Sequence, residues 1–466
     1  MSAVFSDQPN SQLPVNSRRK IPPGPRGEPI IGNLREFRSD ILGLLETSAR
    51  AYGEIVHFRV GPREIFLLND PYYIQHVLQT NSRNYRKGMA LVRSKILLGE
   101  GLLTSEGDFW LQQRRLIQPA FHRKQIAMFG QIMTDCTLEM MTQWQSYIEA
   151  HQPLNMAEEM MGLTLNIVCQ TLFSTTITEE ERAVVQEAME IVLQLGVKNA
   201  TRLPFFEKLP TRGNQLAKKA IHQLDEIVYR IIRERRLYPQ VDEMGDLLTL
   251  LMTATDADTG EVMNDRQVRD EVMTLFLAGH ETTANALAWT WYLLSENPTA
   301  ENQLHTELNT VLGGRLPTMD DLPKLPYTQA VLHESMRLYP PAWVISRQAI
   351  GDDEIGGYPI AAGSAVLLSP YVMHRNPNYW ENPERFNPTR FLGDSLQWRP
   401  HFSYFPFGGG ARQCIGMNFA LMEAQLVLAT VAQSYRLRVG EGFKIEPEAL
   451  VTLRPRNGVY VMIEPR

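Results

Sequence analysis

The sequence predicts a mainly α-helical domain with small β-sheets, an α+β fold in a single large unit. Three observations predict it. Apolar residues recur at helical spacing and dominate from Pro71 to about Tyr339. Short β-branched runs broken by Gly and Pro turns flank that stretch on both sides. No internal repeat, low-complexity tract or flexible linker divides the chain, so residues 21–466 read as one domain behind a polar, mobile leader, residues 1–20.

Each element follows in order. Residues 21–33 (IPPGPRGEPIIGN) carry too much Pro and Gly for a helix and form a stiff strap. Residues 53–69 alternate around Gly61–Pro62 and predict a β-hairpin. Helical patterns cover 108–117, 125–147, 156–173, 179–195 and 214–236. The longest, 263–294, is stopped by Asn297–Pro298. Past Pro340 the texture changes, and residues 350–369 predict short strands. Residues 376–406 are an ordered irregular loop, and a loop of that length inside a domain is usually functional. A helix over 417–435 and strands from Leu437 complete the chain.

Composition narrows the function. Hydrophobic residues at 44% and charged residues at 21% exclude wholesale disorder. Lys and Arg number 46 against 52 Asp and Glu, a net charge of −6 that argues against a nucleic-acid binder. Cys136, Cys169 and Cys414 cannot build a disulfide framework, and none sits in a C-x-x-C pair, which excludes a cysteine-built zinc ribbon or iron–sulfur cluster. Free thiols suit a reducing compartment, and a cytoplasmic location is expected. Residues 1–20 have no apolar signal core, and the apolar stretch 272–294 is interrupted by His280, Glu281 and Asn285, so no membrane span is expected.

The sharpest signal is residues 407–416, FGGGARQCIG. Its glycines permit turns closed to other residues and let a flat ligand approach the backbone. Cys414 stands just ahead of the helix that starts near Gly416, where the free N–H groups and partial positive charge favour a thiolate. Arg412 can neutralise an anion beside it. One thiolate for a soft metal, with a cation for an acidic edge, fits haem. An inert core cysteine is the plainer reading, but the glycine-rich, arginine-flanked setting speaks against it.

These residues resemble the cytochrome P-450 superfamily of haem-thiolate monooxygenases. Phe407, Gly410, Arg412, Cys414 and Gly416 match every fixed position of its Phe-x-x-Gly-x-Arg-x-Cys-x-Gly signature, and the likeness runs from the strap at Ile21 to the final strands. The resemblance implies haem b with Cys414 as axial iron ligand and Phe407 packed near the sulfur. It implies that Ala278 and Gly279 let the long helix pass close over the haem, that Thr282 bonds iron-bound dioxygen and that Glu281 relays protons. His280 receives no role. Trp110 and Arg114, on one helix face, together with Arg347 and Arg412, are implied to hold the propionates. Glu334 and Arg337, completed by Arg390 or Arg385 with the spacing favouring Arg390, are implied to brace the Cys loop. Taken alone, such an i, i+3 pair is more often a solvated surface bridge.

The implied reaction inserts one atom of O2 into a lipophilic substrate such as a fatty acid, terpenoid or polyketide. The implied pocket includes residues 195–206, Trp343, Val344 and Leu453. With no cysteine set for a cluster and no room foreseen for a flavin domain, electrons are expected from a separate ferredoxin or flavodoxin with its reductase. Arg114, Arg115, Arg123 and Lys124 would offer such an acidic partner a basic patch. A peroxide-using peroxygenase or isomerase and a non-catalytic haem-binding protein are the alternatives. The Glu281–Thr282 pair argues against the first, and the absence of an output domain against the second.

Overall fold

A computed structural model describes residues 20–122, 126–200, 209–237, 246–253, 255, 260, 262–393, 398–440 and 442–466. The expected leader, apart from Lys20, lies outside them, as do Arg123, Lys124 and residues 201–206 of the 195–206 pocket segment.

The helices that position the site are α1 (Gly107–Ile117), α2 (Met156–Leu172), α3 (Asp265–Glu296), α4 (Pro326–Leu338) and α5 (Met417–Ser434). The strands are β1 (Ile55–Val60), β2 (Arg63–Leu68), β3 (Tyr85–Lys87), β4 (Leu154–Asn155), β5 (Ile345–Ala349), β6 (Asp353–Ile355), β7 (Tyr358–Ile360), β8 (Ala365–Leu368), β9 (Tyr435–Val439), β10 (Pro447–Ala449), β11 (Leu453–Pro455) and β12 (Tyr460–Pro465). The largest sheet has the order β1-β2-β8-β5-β3, with β2 and β8 parallel and the other neighbours antiparallel. The predicted hairpin is β1–β2, turned at Gly61, whose φ is +59°. The pattern over 125–147 becomes two helices, Gly130–Gln143 and Gln145–Ala150. The irregular loop holds two short 3-10 turns and is otherwise aperiodic among its described residues.

Helix α3 shows why local and tertiary forces agree here. Asn264 caps it: its side chain accepts from the Gln267 amide at 3.0 Å while Gln267 returns a bond to the Asn264 amide at 2.8 Å. Such a cap is worth about 1 kcal/mol. Burial outweighs it, since each fully buried Leu or Phe contributes about 1.5–3 kcal/mol and α3 is buried from Val268 to Trp291 except at Ala278, Gly279 and Thr282. It packs on α2, where the Thr164 hydroxyl donates to the His280 carbonyl at 3.0 Å.

Apolar side chains gather in three clusters: one among the helices, one under the sheet around Phe66 and Phe402, and one holding Phe58, Trp343 and Leu453.

Candidate active site

Residues 405–416 are shaped by their own backbone. Gly408 donates to the Phe405 carbonyl, and the Cys414 amide donates to the Phe407 carbonyl at 3.0 Å, so Phe407 and Cys414 close one loop. Gly410 has no substitute: its φ is +67°, and a Cβ there would stand 2.0 Å from the Leu78 carbonyl oxygen. Gly416 caps α5.

Cys414 keeps accessible surface, yet burial pushes its thiol pKa up. The Gly416 amide and the Arg114 guanidinium pull the pKa back down, less strongly than burial raises it. The helix terminus therefore favours the thiolate, as expected, but does not make one unaided. A coordinated cation would, because a metal-bound thiol is deprotonated outright.

Across the fold, Ala278 and Thr282 form the half-exposed face of α3, one turn apart. The Thr282 hydroxyl donates to the Ala278 carbonyl at 2.8 Å, the plain back-bond of a helical threonine, which leaves its oxygen free to accept. A Cβ at Gly279 would meet Val168 of α2 at 2.8 Å, so this glycine admits the neighbouring helix. His280 is buried, its ring bonds the Phe276 carbonyl, and burial lowers its pKa. α3 meets α5 where the Thr283 hydroxyl lies beside the Glu423 carboxyl, neither closing a hydrogen bond. The start of α5 is about 9 Å along its axis from Glu423.

Glu281 points elsewhere. Its Oε1 accepts from the Thr452 hydroxyl at 2.5 Å, and Asn285 donates to the same hydroxyl at 3.0 Å. Burial raises the Glu281 pKa to about 7, with Thr452 and Arg454 acting against that rise.

The basic groups converge on one carboxylate. Arg412 pairs with Glu106 through both guanidinium nitrogens and lies over the Trp110 ring at 5.5 Å. Arg347 on β5 stands opposite Lys87 on β3. Burial pulls Arg347 down to about 10, and the Arg412 charge pulls in the same direction. Burial likewise pulls Lys87 down to about 7, against the pull of Glu106, and its ammonium donates to the Leu102 and Ser105 carbonyls at 2.9 and 2.6 Å. Arg114 sits beside Cys414 and donates to the Gln413 carbonyl at 2.9 Å, which ties it to the Cys loop. Arg412, Arg347 and Lys87 against Glu106 leave a local excess of positive charge.

Glu334 is fully buried, and Arg337 binds it through Nε and a terminal nitrogen at 2.7 and 2.8 Å. Arg390 adds a third bond at 3.0 Å, while Arg385 contributes its backbone carbonyl to both arginines. Arg337 also donates to the His374 carbonyl, and the His374 ring accepts from the Phe405 amide at 3.0 Å. The triad is thereby tied to the start of the Cys loop.

The pocket expectation changes. Trp343 is 5% exposed and Leu453 0%. The Trp343 indole donates to the Leu450 carbonyl, and the Leu453 amide to that of Pro341, which closes both into the third cluster. Val344 keeps accessible surface. Sequence reasoning missed Lys87, Glu106 and the polar role of Thr452. The first two carry no motif.

Among the described residues no group of three or more His, Cys, Asp or Glu side chains could hold a bare metal ion. A lone accessible cysteine suits a metal that brings its own equatorial ligands, and a cationic cluster short of negative charge suits that group's two carboxylates. The residues thus fit haem and define the haem-thiolate class. Residues 22–462 match the family model Cytochrome P450, and the chain belongs to that family. It is 38% identical to cyclooctatin synthase of Streptomyces melanosporofaciens over 98% of both chains. It is 38% identical to cyclooctat-9-en-7-ol 5-monooxygenase of the same organism, over 89% of each. Pentalenene oxygenase of Streptomyces avermitilis is 33% identical over 93% of this chain and 95% of its own. As a cytochrome P450 the chain is an oxygen-incorporating oxidoreductase that binds haem b through a cysteine thiolate and draws electrons from a redox partner. No helix among the described residues is long and apolar enough to cross a membrane.

Proposed function

We propose that this protein oxygenates a terpenoid, with Cys414 as the thiolate ligand. One observation carries the assignment: Cys414 keeps accessible surface directly ahead of α5 while the long helix packed on α5 breaks its burial at Ala278 and Thr282. Bound haem supplies the oxygen activation, which a thiolate ligand favours. The chain supplies the rest. Arg412, Arg347, Lys87 and Trp110 hold the propionates. Thr282 offers an acceptor oxygen at the half-exposed face, and Glu281, near neutrality at about pH 7, holds a proton one residue away. The Glu334–Arg337–Arg390 set braces the loop through His374.

The terpenoid substrate is supported by the relatives whose names state such oxidations. A ferredoxin or flavodoxin with its reductase is the donor in this reading. The buried, free Cys136 and Cys169 suit a cytoplasmic setting. Residues 21–466 act as one domain.

The test is spectroscopic. Reduced protein exposed to carbon monoxide should show a strongly red-shifted Soret band, and Cys414→Ala should lose it. Terpenes and hydroxylated terpenes should displace the resting Soret band at lower concentration than fatty acids. Thr282→Ala should keep haem and substrate binding but release peroxide. Fatty acids binding tightest would overturn the substrate class, and unchanged coupling in Thr282→Ala would remove that residue's role.

A further inference from the structure

Glu281, Asn285 and Trp289 are spaced four apart on α3 and all reach the turn between β10 and β11. The Trp289 indole donates to the Leu453 carbonyl at 3.0 Å, and the Leu453 amide donates to the Pro341 carbonyl at 2.9 Å. The turn is thus pinned after Thr452, and the Trp343 indole on the Leu450 carbonyl pins it before. A hydroxyl has one hydrogen. Because Asn285 donates to the Thr452 oxygen, that hydrogen is directed to Glu281, and the order Asn285 to Thr452 to Glu281 is fixed. All three residues are buried.

We propose that Thr452 and Asn285 are positioning residues for Glu281, holding its carboxyl at the β10–β11 turn, away from the Ala278–Thr282 face, until release from Thr452 frees it to reach that face. This rests on the reading of Glu281 as the acid of the site. Residues adjacent on a helix point about 100° apart, so Glu281 bonded to Thr452 cannot also serve the face that Thr282 presents. The bond to Thr452 also stabilises the charged form. The charged group facing Glu281 is Arg454 on β11, itself paired with Glu448 at 2.9 Å, while the neighbouring His280 ring bonds Phe276.

The experiment is a pH titration of the haem-loaded protein followed by the infrared carboxyl stretch, with the Glu281 band assigned by its loss in Glu281→Gln. Thr452→Val, nearly isosteric, should move that titration upward by about one pH unit, a tenfold gain in proton affinity. Thr452→Ser should restore it. Asn285→Ala, which keeps Thr452, should move it the same way by less, and it serves if Thr452→Val does not fold. The pH profile of turnover should move in step. A band that titrates alike in wild type, Thr452→Val and Asn285→Ala would overturn the proposal while leaving Glu281 as the acid. Wild-type turnover and coupling in Glu281→Gln would instead overturn the reading of Glu281, and the titration would still decide whether Thr452 holds it.

Discussion

Glu334 and Glu281 are both buried glutamates on helices, and their surroundings differ in kind. Glu334 on α4 receives two guanidinium groups and the Asn387 amide. Glu281 on α3 is hydrogen-bonded by one neutral hydroxyl, with Arg454 beyond. The first region spends its charge on geometry: a buried anion fully matched by cations holds a loop and stays as it is. The second keeps a proton that can leave near pH 7, the property expected of a group that takes part in chemistry. Burial alone does not separate a structural acid from a reactive one; the partners do.

Removing Glu334 is the harshest way to break this comparison. Glu334→Ala strands two buried guanidiniums, and we expect a loss of about 3–5 kcal/mol, read by denaturant unfolding, together with loss of bound haem. If Glu334→Ala stays as stable as Glu281→Gln, the division between the two regions fails.

The next effect sharpens it through pH. The folded pKa values of Glu281 and Glu271, about 7 and about 8, lie above the ordinary 4.5. A raised value means the folded state binds protons that the unfolded state has lost. Stability from these groups is therefore full below about pH 4.5 and is lost as pH rises from there to about 7 for Glu281 and about 8 for Glu271, by an amount on the order of 3 kcal/mol for Glu281. Neutral His305, which is buried, and half-buried His333, lowered to about 3 and about 4, act oppositely, so their stability falls as pH drops below 6.5. The Glu281 share is lost between about pH 4.5 and 7 and the Glu271 share up to about pH 8, so Glu281→Gln should flatten the fall of the unfolding midpoint between pH 5 and 7 and leave that between pH 7 and 8.

Glu281→Gln should also lower turnover about 100-fold with its haem spectrum intact, measured as product formed at saturating electron donor. A spectrum lost along with the rate would make Glu281 structural after all. The smallest effect is at Gly410. Gly410→Ala forces a side chain onto φ +67° and against Leu78, and about 1–3 kcal/mol should be lost, read as a lower Tm with the Cys loop as the site of damage.

Much of this was legible in the sequence. The helices, the hairpin and the terminal strands follow from periodicity and turn residues, because those signals act within a few residues. The Cys loop was legible for the same reason: glycine, arginine and cysteine needs are met inside ten consecutive positions. Lys87 and Glu106 were not, since a lysine in a three-residue strand and a glutamate before a helix look like any surface pair until β3 and α1 bring them to Arg412. The contact of Gly279 with Val168 was not legible either, because Val168 belongs to another helix.

The sequence by itself determined the helical domain, the loop that presents Cys414 and the acid–alcohol step on the long helix, for these are patterns of adjacent residues. Tertiary structure decided what each buried charge faces: Arg390 and Arg337 for Glu334, Thr452 for Glu281, Glu106 for Arg412. The physical reason is that a buried group's proton affinity depends on partners within a few ångströms, and here those partners come from elements as much as 306 residues apart.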